Sequence, residues 1–157
     1  SFEGGRIFLD GTDATEAIRS EACSAGASKV ATFPAVRAAL LGRQRAYRQA
    51  PGLVAEGRDM GSVVFPDAPL KVFLTASPAQ RAIRRHKQLI SKGILANIES
   101  LAADLEARDA RDKQRSISPL QPAQDALLLD NSDLSIEDSV TQVLAWWQQR
   151  RPFGAQA

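Results

Sequence analysis

Glu56-Gly57-Arg58-Asp59-Met60-Gly61 is the stretch on which the reading of this 157-residue chain turns. It follows a short apolar run, Leu53-Val54-Ala55, and leads into a second, Val63-Val64-Phe65. Three charged side chains and two glycines stand where a buried strand should end, and in open α/β sheets ligands bind beyond strand ends. Glycine beside a charged pair lets backbone and side chains approach a ligand closely. A surface turn with solvated charges has the same composition, so the flanking sequence has to decide.

Downstream, Lys71-Val72-Phe73-Leu74-Thr75-Ala76 reads as a strand, as do Leu53 to Glu56 and Ala126 to Leu129. Leu53–Glu56 and Lys71–Ala76 lack clean apolar/polar alternation, the pattern of parallel strands covered on both faces. Between strands lie helix signals. Ser77-Pro78 places serine at a cap and proline in a first turn, and Gly93 is a stop. Asn97 can cap a helix reaching about Arg115, and Ser116 to Gln124 is a loop. Ser135 with Asp138 has the spacing of a capping box, and Arg150 to Ala157 is expected to be a frayed tail.

Upstream, Pro34 opens a helix over Phe33 to Gln49, and Thr15 to Lys29 reads as a helix interrupted by Gly26. Arg6-Ile7-Phe8-Leu9 is a short strand followed by an Asp10-Gly11 turn. Ser1-Phe2-Glu3 is short for a hairpin partner, which leaves room for one upstream. The order implies an α/β layer with a mainly parallel sheet flanked by helices. Three core strands are few for such a sheet.

Composition narrows the function. The apolar fraction of 44% and charged fraction of 24% belong to an ordinary globular domain. Twenty basic residues face 18 acidic ones, a balance that argues against binding a nucleic-acid polymer. The arginines gather at Arg81, Arg84, Arg85 and at Arg108, Arg111, Arg115, where planar donor forks suit a small anion with several phosphates. A solvated helix face would read the same way at either helix alone. One cysteine, Cys23, and one histidine, His86, argue against a disulfide and a zinc site. No run approaches a membrane span, and no basic-then-apolar leader opens the chain, so a cytoplasmic location is expected.

Taken together, these stretches resemble bacterial cytidylate kinase, the ATP-dependent (d)CMP kinase of the P-loop nucleoside monophosphate kinase group. The matching pieces are Ala27-Ser28-Lys29-Val30-Ala31 with Pro34 and Val36-Arg37, the long run Glu56 to Ala68, and Lys71 to Leu74. Further on come Ala107-Arg108-Asp109-Ala110-Arg111-Asp112 with Arg115, then Asp130-Asn131-Ser132 with Leu134 to Glu137. One departure is large. The family places Gly-x-x-x-x-Gly-Lys-Ser/Thr soon after its first strand. Gly52 and Gly57 have the spacing, but Arg58-Asp59 stands where Lys-Ser/Thr is needed. The resemblance therefore implies a partial P-loop kinase fold that lacks the first strand and the phosphate-binding loop. Residues 1–50 would be part of the nucleoside-monophosphate region, and 51–157 the remainder of the core with a lid at about 81–96.

The resemblance also implies roles. Phosphoryl transfer rests on positioning and charge neutralisation. Arg58 and Arg115 would hold the acceptor phosphate, and Arg84 would touch the transferring phosphate. Asp59 would accept from N4 of cytosine while Arg37 satisfies its acceptors, with Ser28 assisting. Uracil reverses the pattern at position 4. Arg108 and Asp112 would hold the sugar hydroxyls, Asn131 and Ser132 would lie beside the adenine of ATP, and Glu56 would stand near Mg2+. CMP, dCMP and ATP are the implied partners. The full-length protein is expected to be a monomer and the fragment to be inactive and able to self-associate. Two other readings remain open here: a P-loop kinase for another small acceptor, and a non-catalytic nucleotide-binding module.

Overall fold

The structure, a computed structural model, describes residues 2–114 and 119–151. The chain divides into two compact units, Ser1–Ala50 and Pro51–Ala157. Helices and a small parallel sheet make the chain mixed α/β.

The first unit opens on three short antiparallel strands, β1 (Phe2–Glu3), β2 (Arg6–Leu9) and β3 (Thr12–Asp13), in that spatial order. Two-residue hairpin turns of the favoured type need positive φ at both central residues. Gly4-Gly5 and Asp10-Gly11 supply it, at 54° and 79° and at 48° and 80°. Arg6–Leu9 thus finds partners on both sides within these few residues, with Phe2 opposite Ile7 and Leu9 opposite Thr12.

A 3₁₀ turn at Ala17–Arg19 precedes helix α1 (Glu21–Val30), whose cap Ser20 accepts from the Cys23 amide at 3.2 Å. The helix begins later than Thr15 and carries Gly26 in its interior without a break. Helix α2 (Pro34–Ala46) starts on its proline.

In the second unit, Leu53–Glu56 is a correction to the sequence reading. The segment forms no strand and is exposed along its length, with Val54 100% exposed. A strand is held only by the ladder bonds of a neighbour, and among the described residues none pairs with it. Among the described residues the parallel sheet therefore has two strands, β4 (Val72–Thr75) and β5 (Leu127–Asp130), with Val72 opposite Leu127 and Thr75 opposite Asp130. Two further bonds extend the ladder, Leu127 N–H to Lys71 O and Asn131 N–H to Thr75 O, each 2.9 Å.

Met60–Val64 winds into a single π turn, with the Val64 amide reaching the Asp59 carbonyl at 3.2 Å and that of Phe65 reaching Met60 at 2.7 Å. The wide turn carries Val64 and Phe65 into the core beside Ala76, Ala82 and Leu129. The two motif glycines serve this packing. A Cβ on Gly57 would meet the Met60 side chain at 3.0 Å, and one on Gly61 the Lys71 stem at 3.3 Å.

Helix α3 (Pro78–Ser91) packs on α4 (Ile98–Lys113). Caps Ser77 and Asn97 accept from Gln80 N and Ser100 N. Helix α5 (Ile136–Arg150) starts at Ser135, whose hydroxyl accepts from the Asp138 amide at 3.0 Å and donates to its carboxylate at 2.7 Å. The shorter aspartate arm bonds the serine hydroxyl where a longer glutamate would reach the cap amide. Among the described residues no helix is long and apolar enough to cross a membrane.

Candidate functional site

The guanidinium of Arg58, the residue that follows Gly57, is held from another element of the second unit. It reaches α4, where Arg58 Nε donates to Asp112 Oδ2 at 2.8 Å. Asp112 is 1% exposed, the one buried charged side chain among the described residues. Arg108, one helical turn earlier, brings its Nε to 4.0 Å from the same oxygen. A buried charge persists only when it is paired, and here two guanidinium groups surround one carboxylate. Arg58 stays 44% exposed, so its charge is available at the surface while its root is anchored inside. Asp59 is half-buried and its carbonyl caps the π turn.

A second cluster forms at the carboxyl ends of β4 and β5. Ser132 accepts through its hydroxyl from the Ser77 amide at 2.8 Å and donates to Asp130 Oδ1 at 2.6 Å. That hydroxyl, with the Ser132 amide, holds the Asp130 carboxyl below its ordinary value. Arg84, on α3, donates to Asn131 Oδ1 at 3.0 Å and to the Asn131 carbonyl at 2.5 Å. Arg84, Asn131 and Ser132 are thus together. Beside them an apolar groove of about 840 Å³ is floored by Leu74, Leu129, Val140 and Leu144.

Between the clusters, Arg81 donates twice to Asp109, tying α3 to α4, and its Nε bonds the Ala76 carbonyl at the end of β4. The hydrogen bond from Arg81 leads in lowering the Asp109 pKa; burial opposes it, and the charges of Arg81, Arg58 and Lys113 add to the lowering. This pair escaped the sequence reading. Arg81 and Asp109 are 28 residues apart, and only knowing that α3 packs on α4 would join them. Ser77 was legible as a helix cap, but its bond to Ser132 was not.

Of the other expected residues, Ser28 lies in the last turn of α1 and Arg37 in the first turn of α2, both half-buried in the first unit. Arg37 donates to the Ala31 carbonyl at 3.4 Å. Glu56 is exposed on the extended segment before the motif. Among the described residues no group of three or more His, Cys, Asp or Glu side chains is placed to hold a metal. Arg115 lies outside the described residues.

In comparison with known proteins the sequence matches one family. Residues 1–149 match the family model described as cytidylate kinase. The chain is 58% identical over 148 residues to a cytidylate kinase of Ralstonia pickettii, covering 94% of this chain and 64% of that protein. It is 54% identical over 153 residues to one of Chromobacterium violaceum (98% and 69%) and 57% identical over 151 residues to one of Cupriavidus necator (96% and 68%). The chain therefore spans about two thirds of the length of these relatives.

Proposed function

The chain belongs to the cytidylate kinase family, and on that premise we propose that it serves transfer of the γ-phosphoryl group of ATP to CMP or dCMP, yielding ADP and CDP or dCDP in pyrimidine nucleotide metabolism. The observation that carries this reading is the half-exposed Arg58, anchored on the buried Asp112 with Arg108 beside it. Such a pair of guanidinium groups suits a phosphate dianion.

In the proposed reaction an acceptor phosphate oxygen attacks the γ-phosphorus, the bond from that phosphorus to the β–γ bridging oxygen breaks, and ADP leaves. Arg58 and Arg115 hold the acceptor phosphate and Arg84 neutralises charge on the transferring group. Arg84 first has to leave the Asn131 and Ser132 carbonyls that it bonds here. The adenine of ATP is proposed to lie at Asn131 and Ser132, where the groove offers an apolar floor. Mg2+ commonly takes one or two carboxylates together with substrate phosphates. Exposed Glu56, outside any cluster of three or more acidic, His or Cys side chains among the described residues, fits that sparse mode as a holding residue. When bound, the ion neutralises phosphate charge. The 157 residues carry a partial P-loop kinase fold in this reading and no Gly-x-x-x-x-Gly-Lys-Ser/Thr run. As a polypeptide on its own the chain is proposed to be inactive, and the full-length protein to act as a cytoplasmic monomer.

The test is kcat/KM for CMP and UMP in the full-length protein with saturating ATP, before and after Asp59→Asn. An amide can turn its NH2 toward an acceptor such as uracil O4, and it loses the charge that strengthens the bond from cytosine N4. The CMP/UMP ratio is expected to fall by roughly ten- to a hundredfold, the scale of one lost base contact. A ratio that stays put while ATP binding weakens would move Asp59 to the donor site. Wild-type protein that leaves CMP untouched would end the kinase reading.

A further inference from the structure

Resting on that reading, we propose that Arg81 and Asp109 are a positioning pair for phosphoryl transfer. They hold α3, which carries Arg84 on the donor side, in one register with α4, which carries Arg108 and Asp112 on the acceptor side. In the sequence Arg81 belongs to the same basic cluster as Arg84 and Arg85, and its bonding sets it apart from Arg84.

All three nitrogens of the Arg81 guanidinium are engaged inside the fold. Nε donates to the Ala76 carbonyl at 3.1 Å, Nη1 to Asp109 Oδ1 at 2.9 Å and Nη2 to Asp109 Oδ2 at 2.5 Å. The paired fork is the geometry with which arginine grips a phosphate, and here an internal carboxylate occupies it. The two side chains are 29% and 21% exposed. Arg84 bonds Asn131 and Ser132 at the exposed surface, where water competes for the same acceptors and release costs little. Along α3 a fixed arginine is therefore followed by a releasable one.

One guanidinium joins three elements. Ala76 follows β4, Arg81 stands in the first turn of α3 and Asp109 in the closing turns of α4. Ala82, next to Arg81, is 1% exposed, so this end of α3 is seated in the core. Arg84 lies three residues beyond Arg81, about 4.5 Å along the helix. On α4, Arg108 precedes Asp109 directly and Asp112 follows it by three residues. The tie thus acts within one helical turn of the donor-side and the acceptor-side residues. A slide or rotation of α3 on α4 would change the spacing between the two sets without disturbing either set by itself. Misplacing reacting groups by about 1 Å costs on the order of a hundredfold in rate. A pair that aligns two sites and touches neither nucleotide therefore shows in the chemical step and not in affinity.

The experiment uses the full-length protein. The Kd of CMP alone and of ATP alone is measured, then the single-turnover rate with both nucleotides saturating. Asp109→Asn and Arg81→Gln are each expected to lower that rate by roughly ten- to a hundredfold and to change either Kd by less than about threefold. The double variant is expected to lose about as much as one single variant, because both changes disable one unit. Should the neutral variants fail to fold, Arg81→Lys carries the test: it keeps the charge without the fork, and a wild-type rate there overturns the proposal. An unchanged rate in variants that only unfold at lower urea concentration overturns it in favour of a purely structural bridge. ATP affinity lost while the saturated rate holds overturns it in favour of a direct phosphate contact by Arg81. Losses that multiply in the double variant overturn it as well. Wild-type protein inactive on CMP overturns the kinase reading itself, and the proposal with it.

Discussion

Within Ser1–Ala50 the chain makes bonds such as Ser20 with Cys23, Arg37 with Ala31, and Ile7 with Thr15 eight residues on. Within Pro51–Ala157 it reaches much further. Arg81 and Asp109 are 28 residues apart, Arg84 and Asn131 are 47, Arg58 and Asp112 are 54, and Ser77 and Ser132 are 55. Burial divides in the same way: among the described residues every buried one lies in the second unit. Short-range bonds form wherever the chain turns and need no core beneath them. Long-range bonds require loop closure first, and only a shared core repays it. Regions with few buried contacts open locally at low free energy, whereas a packed unit opens as a whole. Of the residues proposed to handle phosphate, Arg84 sits on α3 and Arg58 on the turn that leads into the π turn, both within the packed unit.

The contrast can be broken by truncating one apolar side chain in each unit. Leu129→Ala, in the core strand β5, is expected to cost about 3 kcal/mol in urea unfolding. Leu40→Ala, 45% exposed on α2, is expected to cost less than about 1 kcal/mol. Equal costs would mean that the first unit is packed as firmly as the second.

A smaller effect is expected with pH. Arg81 holds the Asp109 pKa below its ordinary value. The bond therefore contributes fully above the unfolded carboxylate range, and its contribution is lost as pH falls below about 4. The loss is expected to be under about 1 kcal/mol because the pair is partly solvated. Asp109→Asn should flatten that part of the stability curve between pH 5 and pH 2, measured by urea titration. An unchanged slope would show that the α3–α4 tie is electrostatically idle.

A comparably small effect sharpens the comparison from the local side. Ser20→Ala removes the cap of α1 and is expected to cost about 0.5–1 kcal/mol. Faster hydrogen exchange should appear at the Cys23 amide and its α1 neighbours, with β4 and β5 untouched. Exchange accelerating throughout the second unit would show that the two units open together.

What was legible in the sequence follows the same division. Caps and turns were readable because their partners lie a few residues away: Ser77, Asn97, Ser135 and the Asp10-Gly11 turn all act where their spacing placed them. The arginines and the run from Glu56 were readable as a family signature. Leu53–Glu56 was misread because an apolar run says nothing about whether a strand lies beside it to share its ladder. The Phe2–Glu3 partner was doubted for its length, although two glycines with positive φ are enough to turn it back on Arg6–Leu9. Arg58–Asp112 and Arg81–Asp109 could not be paired from spacing, since which carboxylate meets which arginine depends on how α3 and the π turn lie on α4.

Lys71 closes the amino end of the β4–β5 ladder. Its ammonium donates to both oxygens of Asp125 at 2.9 and 2.8 Å and to the Pro66 carbonyl at 2.5 Å, its side chain is 9% exposed, and its stem fills the space beside Gly61. To an amine-reactive reagent or to trypsin, which must take hold of that ammonium, this lysine is hidden for as long as the two strands stay paired. Modification or cleavage there would therefore time the parting of β4 from β5, giving a covalent clock for the ladder that needs no knowledge of substrate or catalysis.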